Sequence, residues 1–220
     1  EAAVSCRAWA TQHPKAQMRD PISVEDVMDS RAIADPLKVL DCSLVSDGGA
    51  AVVITGKDRA KDGPHKAITL LGYGEGHNYE HISQAKDLTT SAAVQSGRAA
   101  YAEAGLTPDD IDLLQLYDCF TPALLIQIED LGFCGKGEGG AWLASGISRP
   151  GGSKPMNTHG GMLSYCHPGN PGAMFGLTEA ITQMRGDAGE RQLSNMRTAL
   201  CHAQGGIMSS HATIILGVEN

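Results

Sequence analysis

The chain has 220 residues, a hydrophobic fraction of 42% and a formal net charge of −8, so it can bury a core but offers no basic surface for nucleic acid. No apolar stretch reaches the ~18 residues that a membrane-spanning helix needs, so no membrane span is expected. Aromatic residues make up 5% of the chain whereas glycine occurs 27 times, a mixture typical of tightly packed α/β proteins with functional loops.

The cysteines and the first residues bear on the compartment. Six cysteines are spread along the chain without paired CxxC spacing, so neither a metal site nor a disulfide framework is predicted. Reduced thiols are typical of cytoplasmic proteins, and the opening residues have neither the basic start nor the apolar run of a secretory signal. Because position 1 is not Met, we also expect the chain to begin within a longer protein.

The first third of the chain contains one predicted helix and two predicted strands. The segment PISVEDVMDS predicts a short helix with Ser23 as N-cap and Asp26 three residues later. Residues 50–55, AAVVIT, follow the turn signal SDGG and predict a buried strand. Residues 67–72 predict a second strand, and the glycine-rich GYGEGHN that follows is interpreted as a loop.

The rest of the chain alternates helices and strands. Residues 91–104 have helical apolar spacing, and Gly105 follows as a C-cap. IDLLQLY predicts a buried strand, and TPALLIQIEDLGF predicts a helix with Thr121 as N-cap and Pro122 in its first turn. MFGLTEAITQMRG predicts an amphipathic helix, and RTALCHAQGGIMSSHATIILG predicts two strands joined by a Gly-Gly turn. This alternation indicates a three-layer α/β domain.

Reactive side chains concentrate in three loops that follow predicted strands or precede predicted helices. These loops are residues 117–120 (YDCF), 157–172 (NTHGGMLSYCHPGNPG) and 201–206 (CHAQGG). Ligands of open α/β sheets bind outside the carboxyl ends of strands, where helix N-termini also favour negative charge. A single Cys or His is usually structural, but Tyr, Cys and His grouped in glycine-rich loops indicate a shared pocket.

Two other motifs do not meet the structural context that their function needs. GKGEGG at 135–140 fits GxGxxG but follows a predicted helix instead of a strand, which argues against dinucleotide binding. Cys42 precedes a predicted strand, so it lacks the helix N-terminus that would lower the pKa of a nucleophilic thiol.

At the three loops the sequence resembles the thiolase superfamily. NTHGGMLSYCHPGNPG is similar to the loop that thiolases build around Gly-His-Pro, and YDCF is similar to the HDCF segment of the sterol-carrier-protein type. LDCSLVSDGGAAVVI resembles the end of the first thiolase lobe, and HAQGG resembles the HNxG loop. The resemblance covers essentially the whole chain and implies a layered αβαβα thiolase fold of the α/β class. Residues 1–65 would end the loop domain and the N-terminal lobe, and residues 66–220 would form the C-terminal lobe.

The resemblance implies roles for individual residues. His167 matches the histidine that polarises the thioester carbonyl, which makes it an oxyanion-hole residue. Cys119 matches an acid/base cysteine, and Ser43 matches a serine beside the pantetheine arm of coenzyme A. The fourth loop is matched by three residues: His202, Gly205 and Gly206. The nucleophilic cysteine of thiolases would lie in the N-terminal half of the same protein, outside this chain.

Two departures from the thiolase pattern change the expected reaction. Tyr117 stands in place of the HDCF histidine, and Tyr165-Cys166 stands directly before His-Pro, where Cys166 replaces the usual glycine. Tyrosines at these places resemble the thiolase-like, lipid-transfer-protein aldolases of bacterial steroid side-chain breakdown. That resemblance implies retro-aldol cleavage of a 3-hydroxyacyl-CoA to release a short acyl-CoA. It also implies a homodimer and a partner subunit with an OB-fold and a zinc ribbon.

A retro-aldol reaction needs a base for the substrate hydroxyl and a proton donor for the enolate, and Tyr117 and Tyr165 are the candidates. Because a free phenol has a pKa of ~10, the basic tyrosine would need a lowered pKa. No covalent acyl-enzyme and no bound cofactor are needed, since coenzyme A enters as part of the substrate. We expect four residues to converge on one site: Tyr117, Tyr165, His167 and His202.

Two alternatives remain open from the sequence. The first is a true thiolase or acyltransferase with Cys119 as acid/base and its nucleophile elsewhere in the protein. The second is a non-catalytic subunit that binds coenzyme A or lipid. A nucleophilic cysteine at a helix N-terminus in the other half of the protein would favour the thiolase, and its replacement would favour the aldolase.

Overall fold

The computed structural model describes residues 1–60 and 62–218. The strands are β1 Ala32–Ala34, β2 Leu37–Lys38, β3 Thr69–His77, β4 Leu113–Gln115, β5 Thr198–Gly205 and β6 Ser210–Gly217. The α-helices are α1 Ala2–Ala10, α2 Val24–Asp29, α3 Lys57–Ala60, α4 Ala93–Ala104, α5 Thr121–Asp130, α6 Gly139–Ala144, α7 Gly161–Ser164 and α8 Gly172–Arg185. The last four strands form one mixed sheet in the order β3-β6-β5-β4, in which β4 and β5 are parallel and the other pairs antiparallel.

Helices cover this sheet on both faces, as expected for a three-layer α/β domain. Alternate residues of a strand point to opposite faces, so neighbouring residues of β4 enter different cores. Leu114 packs with residues of α4 and α5, whereas Leu113 packs with Ala180 and Met184 of α8. The strands are therefore buried from both sides, and the functional groups must lie at their ends or in loops.

The glycine-rich GYGEGHN segment is not a loop, which corrects the sequence interpretation. It continues β3 as far as His77, with Gly72, Gly74 and Gly76 all on the face that meets α4. A Cβ atom at Gly74 would overlap the carbonyl oxygen of Ser96 in that helix. Glycine at every second position thus lets the helix lie directly on the strand, and this period-two spacing was the available signal.

Two predicted strands are absent or shortened. Residues 50–55 form no strand in the part of the chain that the structure describes, and Val53 and Ile54 are 94% and 87% exposed. A strand needs a hydrogen-bonded neighbour, which this segment does not find within the described residues. IDLLQLY forms a strand only at Leu113–Gln115, because the Asn157 side chain replaces a neighbouring strand as the hydrogen-bond partner of Leu116. Asn157 Oδ1 accepts the Leu116 N–H at 2.8 Å, and Asn157 Nδ2 donates to the Leu116 carbonyl at 3.0 Å.

The predicted helix ends are mostly confirmed. The Ser23 side chain accepts from the Asp26 N–H as the N-cap of α2, and Gly105 ends α4 in the left-handed conformation at φ 65°. Helix α5 starts one position earlier than predicted, with Phe120 as N-cap. Thr121 is its first residue, and its hydroxyl donates to Asp41 Oδ1 at 2.7 Å instead of capping the helix.

Three structural findings concern cysteines, metals and membranes. The six cysteines are all free thiols. Within residues 1–60 and 62–218, no group of three His, Cys, Asp or Glu side chains is arranged to hold a metal ion. The helices of the same residues are all too short or too polar to cross a bilayer.

Candidate active site

The candidate site lies at the carboxyl edge of β4 and β5. These strands are parallel with Gln115 beside Cys201, so both end at the same edge of the sheet. Tyr117 follows β4 there, and its main chain is fixed by Gln127, a buried residue of α5. The Tyr117 N–H donates to Gln127 Oε1 at 2.9 Å, and Gln127 Nε2 donates to the Tyr117 carbonyl at 2.7 Å. The turn before α5 therefore presents the Tyr117 side chain in one fixed position.

Tyr117 and His167 are brought together although 50 positions separate them. The Tyr117 phenol oxygen and His167 Nε2 are hydrogen-bonded at 3.0 Å, and the two rings meet edge to face with centroids 5.8 Å apart. The main-chain N–H of His167 donates to Ser46 Oγ at 3.1 Å. Both rings are half-buried, so the pair remains accessible to a substrate. This part of the expected convergence is present.

Burial determines the charge of this pair. It raises the pKa of Tyr117 to about 12 and lowers the pKa of His167 below its ordinary value. At neutral pH the site therefore contains a protonated phenol beside a neutral imidazole. The lowered pKa that a basic Tyr117 would need is not found, because the group beside it is a neutral ring and not a cation. A phenol whose oxygen touches the imidazole can still pass its proton to that ring while taking another.

Asp118 anchors the loop that carries His167. Its side chain is buried, and its Oδ1 accepts the Met162 N–H at 2.8 Å, at the start of α7. The Cys6 thiol donates to its Oδ2 at 3.4 Å. Burial raises the pKa of Asp118 to about 6, although these hydrogen bonds oppose the rise. Asp118 belongs to the predicted 117–120 loop, but its anchoring role was not predicted, although it is the one acidic side chain at the end of an apolar strand.

Cys119 and Ser43 lie beside the pair. Cys119 packs in a small buried cluster with Ala123, Met162 and Tyr117, and burial raises the pKa of its thiol to about 12. The Ser43 N–H donates to the Cys119 carbonyl at 2.9 Å. The segment from residue 43 to residue 46 thus runs across the site, next to Tyr117 and His167.

Tyr165 occupies a neighbouring position and faces other partners. Its ring lies 4.6 Å from the ring of His13, 5.3 Å from His159 and 5.8 Å from Phe175. Among the described residues it makes neither a ring contact nor a side-chain hydrogen bond with Tyr117 or His167. Burial raises the pKa of Tyr165 as well, so its phenol is protonated at neutral pH. The two tyrosines therefore have separate surroundings.

His202 does not join Tyr117 and His167. Its Nδ1 is hydrogen-bonded to Thr213 Oγ1 at 2.8 Å and its Nε2 to His211 Nδ1 at 3.0 Å, both on β6. It is buried, and burial lowers its pKa to about 3. Neighbouring residues of a strand point to opposite faces of the sheet. His202 therefore points to the face opposite that of Cys201, the residue that pairs with Gln115 of β4. The expected convergence is therefore not found for this residue.

Gly205 ends β5 and Gly206 begins the turn to β6, at the same edge of the sheet as Tyr117. Gly206 has a φ of +57°, and a Cβ atom there would overlap the Ser209 hydroxyl, so a larger residue would be strained. Ile207 in this turn is 61% exposed. The turn thus presents main chain and one apolar side chain next to the site.

Two cavities lie near these elements. One of about 650 Å³ is lined by Trp9, Ile111 and Asp112, at the opposite end of β4 from Tyr117. The other, of about 310 Å³, is bounded by Tyr165, His13 and other polar residues. The smaller cavity lies beside Tyr165, a candidate site residue, so it is the cavity that can take part in the chemistry of the site.

Comparison with protein families and curated proteins gives consistent results. The family described as "Thiolase C-terminal domain-like" matches residues 74–218. An acetyl-CoA acetyltransferase of Methanothermobacter thermautotrophicus is 36% identical over 198 residues, which are 90% of this chain and 52% of that protein. A steroid side-chain-cleaving aldolase of Thermomonospora curvata is 37% identical over 225 residues, covering 99% of this chain and 56% of that protein. The chain thus spans about half the length of these relatives.

A solved structure titled "Ltp2-ChsH2(DUF35) aldolase" has a TM-score of 0.90 to this chain at 37% identity. The match covers 99% of this chain and 57% of the other. The fold and the order of the loops are therefore shared with that aldolase over nearly the whole chain.

Proposed function

The chain belongs to the thiolase superfamily, and on that premise we propose that its protein cleaves a carbon–carbon bond of a 3-hydroxyacyl-CoA by a retro-aldol reaction. The observation that carries the proposal is the hydrogen bond between the Tyr117 phenol and His167 Nε2. Tyr117 is the residue that departs from the thiolase pattern, His167 is the histidine that matches that pattern, and this hydrogen bond joins the two. The similarity to a steroid side-chain-cleaving aldolase supports a steroid-type acyl group.

In the proposed mechanism, Tyr117 and His167 remove the hydroxyl proton together. The Tyr117 oxygen takes that proton as its own proton passes to His167 Nε2, so no free phenolate forms despite the high pKa. The carbon–carbon bond then breaks, giving a ketone and the enolate of the acyl-CoA. The new imidazolium of His167 stabilises the negative charge that develops on the thioester oxygen. Tyr165, which is protonated, donates a proton to the enolate carbon.

A thiolase or acyltransferase is the second candidate, which the acetyltransferase relative supports. In that reaction Cys119 would exchange protons with the substrate. The Cys119 side chain packs in a cluster with Ala123 and Met162, whereas the Tyr117 phenol is hydrogen-bonded to His167, and this difference favours the aldolase. A non-catalytic subunit is the third candidate. The hydrogen-bonded pair of Tyr117 and His167 at an accessible site argues against it.

The proposal extends to substrate contacts and assembly. Ser43, Gly205 and Gly206 would contact the pantetheine arm, and His202 would support the fourth loop from within the sheet. Residues 1–65 would complete the loop domain and N-terminal lobe of a cytoplasmic homodimer, and 66–220 would be the C-terminal lobe. The solved aldolase is named together with ChsH2(DUF35), which supports a partner subunit for this protein too. The resemblance implies that this partner has an OB-fold and a zinc ribbon.

The direct test is an assay of the full-length protein together with its partner subunit. We expect a steroid 3-hydroxyacyl-CoA to yield ketone and short acyl-CoA in equal amounts without added coenzyme A. A thiolase would instead need free coenzyme A and a 3-ketoacyl-CoA. Turnover of the ketoacyl substrate alone would overturn the proposal in favour of the thiolase, and no turnover of either would favour a binding subunit.

A further inference from the structure

The cavity of about 310 Å³ beside Tyr165 is open to solvent and lined by polar groups. Exposed Lys15 and Asp187 lie at its rim. Four buried polar residues form its floor: His13, His159, Glu179 and Arg191. A polar cavity of this size holds water, since roughly 15 Å³ per probe-sized molecule suffices. Water can therefore reach the two histidine rings that contact Tyr165.

His159 has an unusual environment. It is 5% exposed, and its Nδ1 has no hydrogen-bond partner within the described residues. A buried polar atom without a partner has lost its hydration without replacement, so such an atom calls for a ligand or a water. Its ring also lies against Tyr165, whose phenol oxygen makes no hydrogen bond to the described chain. Two groups that can exchange protons are thus adjacent and unpaired at one cavity.

His13 has a defined tautomer. Its Nδ1 accepts the main-chain N–H of Lys15 at 3.0 Å, so in the neutral ring the proton is on Nε2. Burial lowers the pKa of His13 and of His159 to about 4, so both rings are neutral at pH 7. His159, whose Nδ1 is unpaired, can give a proton from one nitrogen while accepting another at the second nitrogen. His13 can give and regain a proton only at Nε2, because the Lys15 N–H occupies its Nδ1.

The other charged groups of the cavity either form ion pairs and hydrogen bonds with each other or lie at its solvent rim. Arg191 Nη2 donates to Glu179 Oε2 at 2.9 Å, and Thr158 donates to Glu179 Oε1 at 2.7 Å. Although burial raises it, these bonds keep the pKa of Glu179 below its ordinary value. Glu179 therefore stays an ionised acceptor and does not carry protons. Lys15 and Asp187 remain at the solvent rim.

We propose that His13 and His159, with water in this cavity, return protons from solvent to Tyr165 after each turnover. The inference rests on the proposed retro-aldol reaction. In each cycle the Tyr165 O–H bond breaks as a C–H bond forms on the enolate carbon. The Tyr165 phenolate then takes a proton from an imidazole N–H, and that imidazole regains one from cavity water. The substrate hydroxyl proton leaves separately from His167, so the protons balance.

The test compares the first turnover with later turnovers in the full-length enzyme with its partner subunit. His13→Ala and His159→Ala are the variants, and Thr182→Ala is the control, because Thr182 lines the same cavity without an acid or base. Tyr165 starts protonated, so we expect a normal first turnover in rapid-quench assays. Steady-state turnover should then fall by about a hundredfold, the lower range for a proton-transfer group. Added imidazole, which fits the vacated space, should restore it, and the control should behave as wild type.

Each other outcome counts against the proton route. A first turnover slowed as much as later ones, without rescue by imidazole, would assign the histidines a purely structural role. Steady-state rates like those of the control would also overturn the inference. Failure of the retro-aldol proposal is distinct, because the wild-type enzyme itself would then release no ketone. The first-turnover measurement also serves as the check that each variant has folded.

Discussion

At the scale of single residues, the site depends on an imidazole kept neutral by partial burial. A neutral ring can accept the proton that passes from Tyr117, and burial, which lowers the pKa of His167, favours that neutral form. The bond distance of 3.0 Å allows this transfer without movement of either ring. His167 is therefore the residue whose loss should change the chemistry most directly.

We expect His167→Ala to lower turnover of the full-length enzyme by about two to three orders of magnitude, because it removes both the proton acceptor and one oxyanion donor. The measurement is the steady-state rate of ketone release. His65→Ala is the matched control, since His65 is an exposed histidine away from the site. A His167 variant that keeps a rate close to wild type would exclude this residue from the mechanism.

The sequence indicated which residues carry the chemistry better than it indicated their surroundings. Tyr117 and His167 were predicted to meet because both follow strand or helix boundaries at one edge. The placement of His202 was not predictable, because its direction depends on the register of β4 and β5. That of Tyr165, which follows α7, depends on how its loop packs against residues 13–17. The role of His13 and His159 was not predicted, because His13 belongs to no motif and His159 was only one of several side chains in the 157–172 loop. Their relation appears only when the segment after α1 packs against that loop.

At the scale of elements, glycine spacing sets how closely α4 approaches the sheet. We expect Gly74→Ala to lower the free energy of unfolding by roughly 3 kcal/mol, because its Cβ would overlap backbone atoms of Ser96 that cannot move alone. Gly140→Ala is the control, because it lies in α6 with open space around it and should stabilise the helix by about 0.5 kcal/mol. Urea denaturation measures both, and equal stability of the two variants would contradict this view of β3.

The exposed apolar segment at residues 45–54 predicts association. Val45, Val53 and Ile54 are 94%, 94% and 87% exposed, which is unusual for large apolar side chains. We expect the isolated 220-residue chain to self-associate at micromolar concentration in sedimentation velocity. Val53→Ser with Ile54→Ser should reduce this association, whereas Leu88→Ser, at another exposed apolar site, should not. A monodisperse, cooperatively folded monomer would refute the expectation.

The same segment shows where element prediction from sequence succeeds and fails. AAVVIT has the composition of a strand, but composition does not supply the neighbouring strand that forms the hydrogen bonds. The Ser23 cap and the Gly105 cap were predictable because both depend on local contacts within a few residues. The glycine-rich part of β3 was missed because glycine usually weakens strands. Its period-two spacing was visible in the sequence, but the packing of α4 that gives the spacing its meaning was not.

At the scale of the whole molecule, buried titratable groups determine how stability varies with pH. Burial lowers the pKa of His159 to about 4 and that of His202 to about 3. The unfolded chain, with histidine pKa values of ~6.5, binds more protons than the folded chain below that pH, so stability is lost as pH falls. Asp118 acts in the opposite direction, because its pKa of about 6 in the folded chain exceeds the unfolded value.

His159 and His202 together outweigh Asp118 over this range, and His13, whose pKa is also lowered to about 4, acts in the same direction. We expect the free energy of unfolding to fall by at least roughly 2 kcal/mol between pH 7 and pH 5, from about 1.4 kcal/mol per group and pH unit less the opposing contribution of Asp118. Urea titrations at the two pH values measure it. Stability that is constant or that rises on acidification would show that His159 and His202 are not buried as neutral rings.

The central claim is that tyrosines and not Cys119 move the protons in a retro-aldol reaction. The most direct test measures release of short acyl-CoA from a 3-hydroxyacyl-CoA by the full-length enzyme with its partner subunit. Phe keeps the shape of Tyr, so Tyr117→Phe and Tyr165→Phe should each lower the rate at least about a hundredfold with the fold intact. Cys119→Ala should change it little. Loss of activity in Cys119→Ala with activity retained in both tyrosine variants would contradict the account and identify a thiolase.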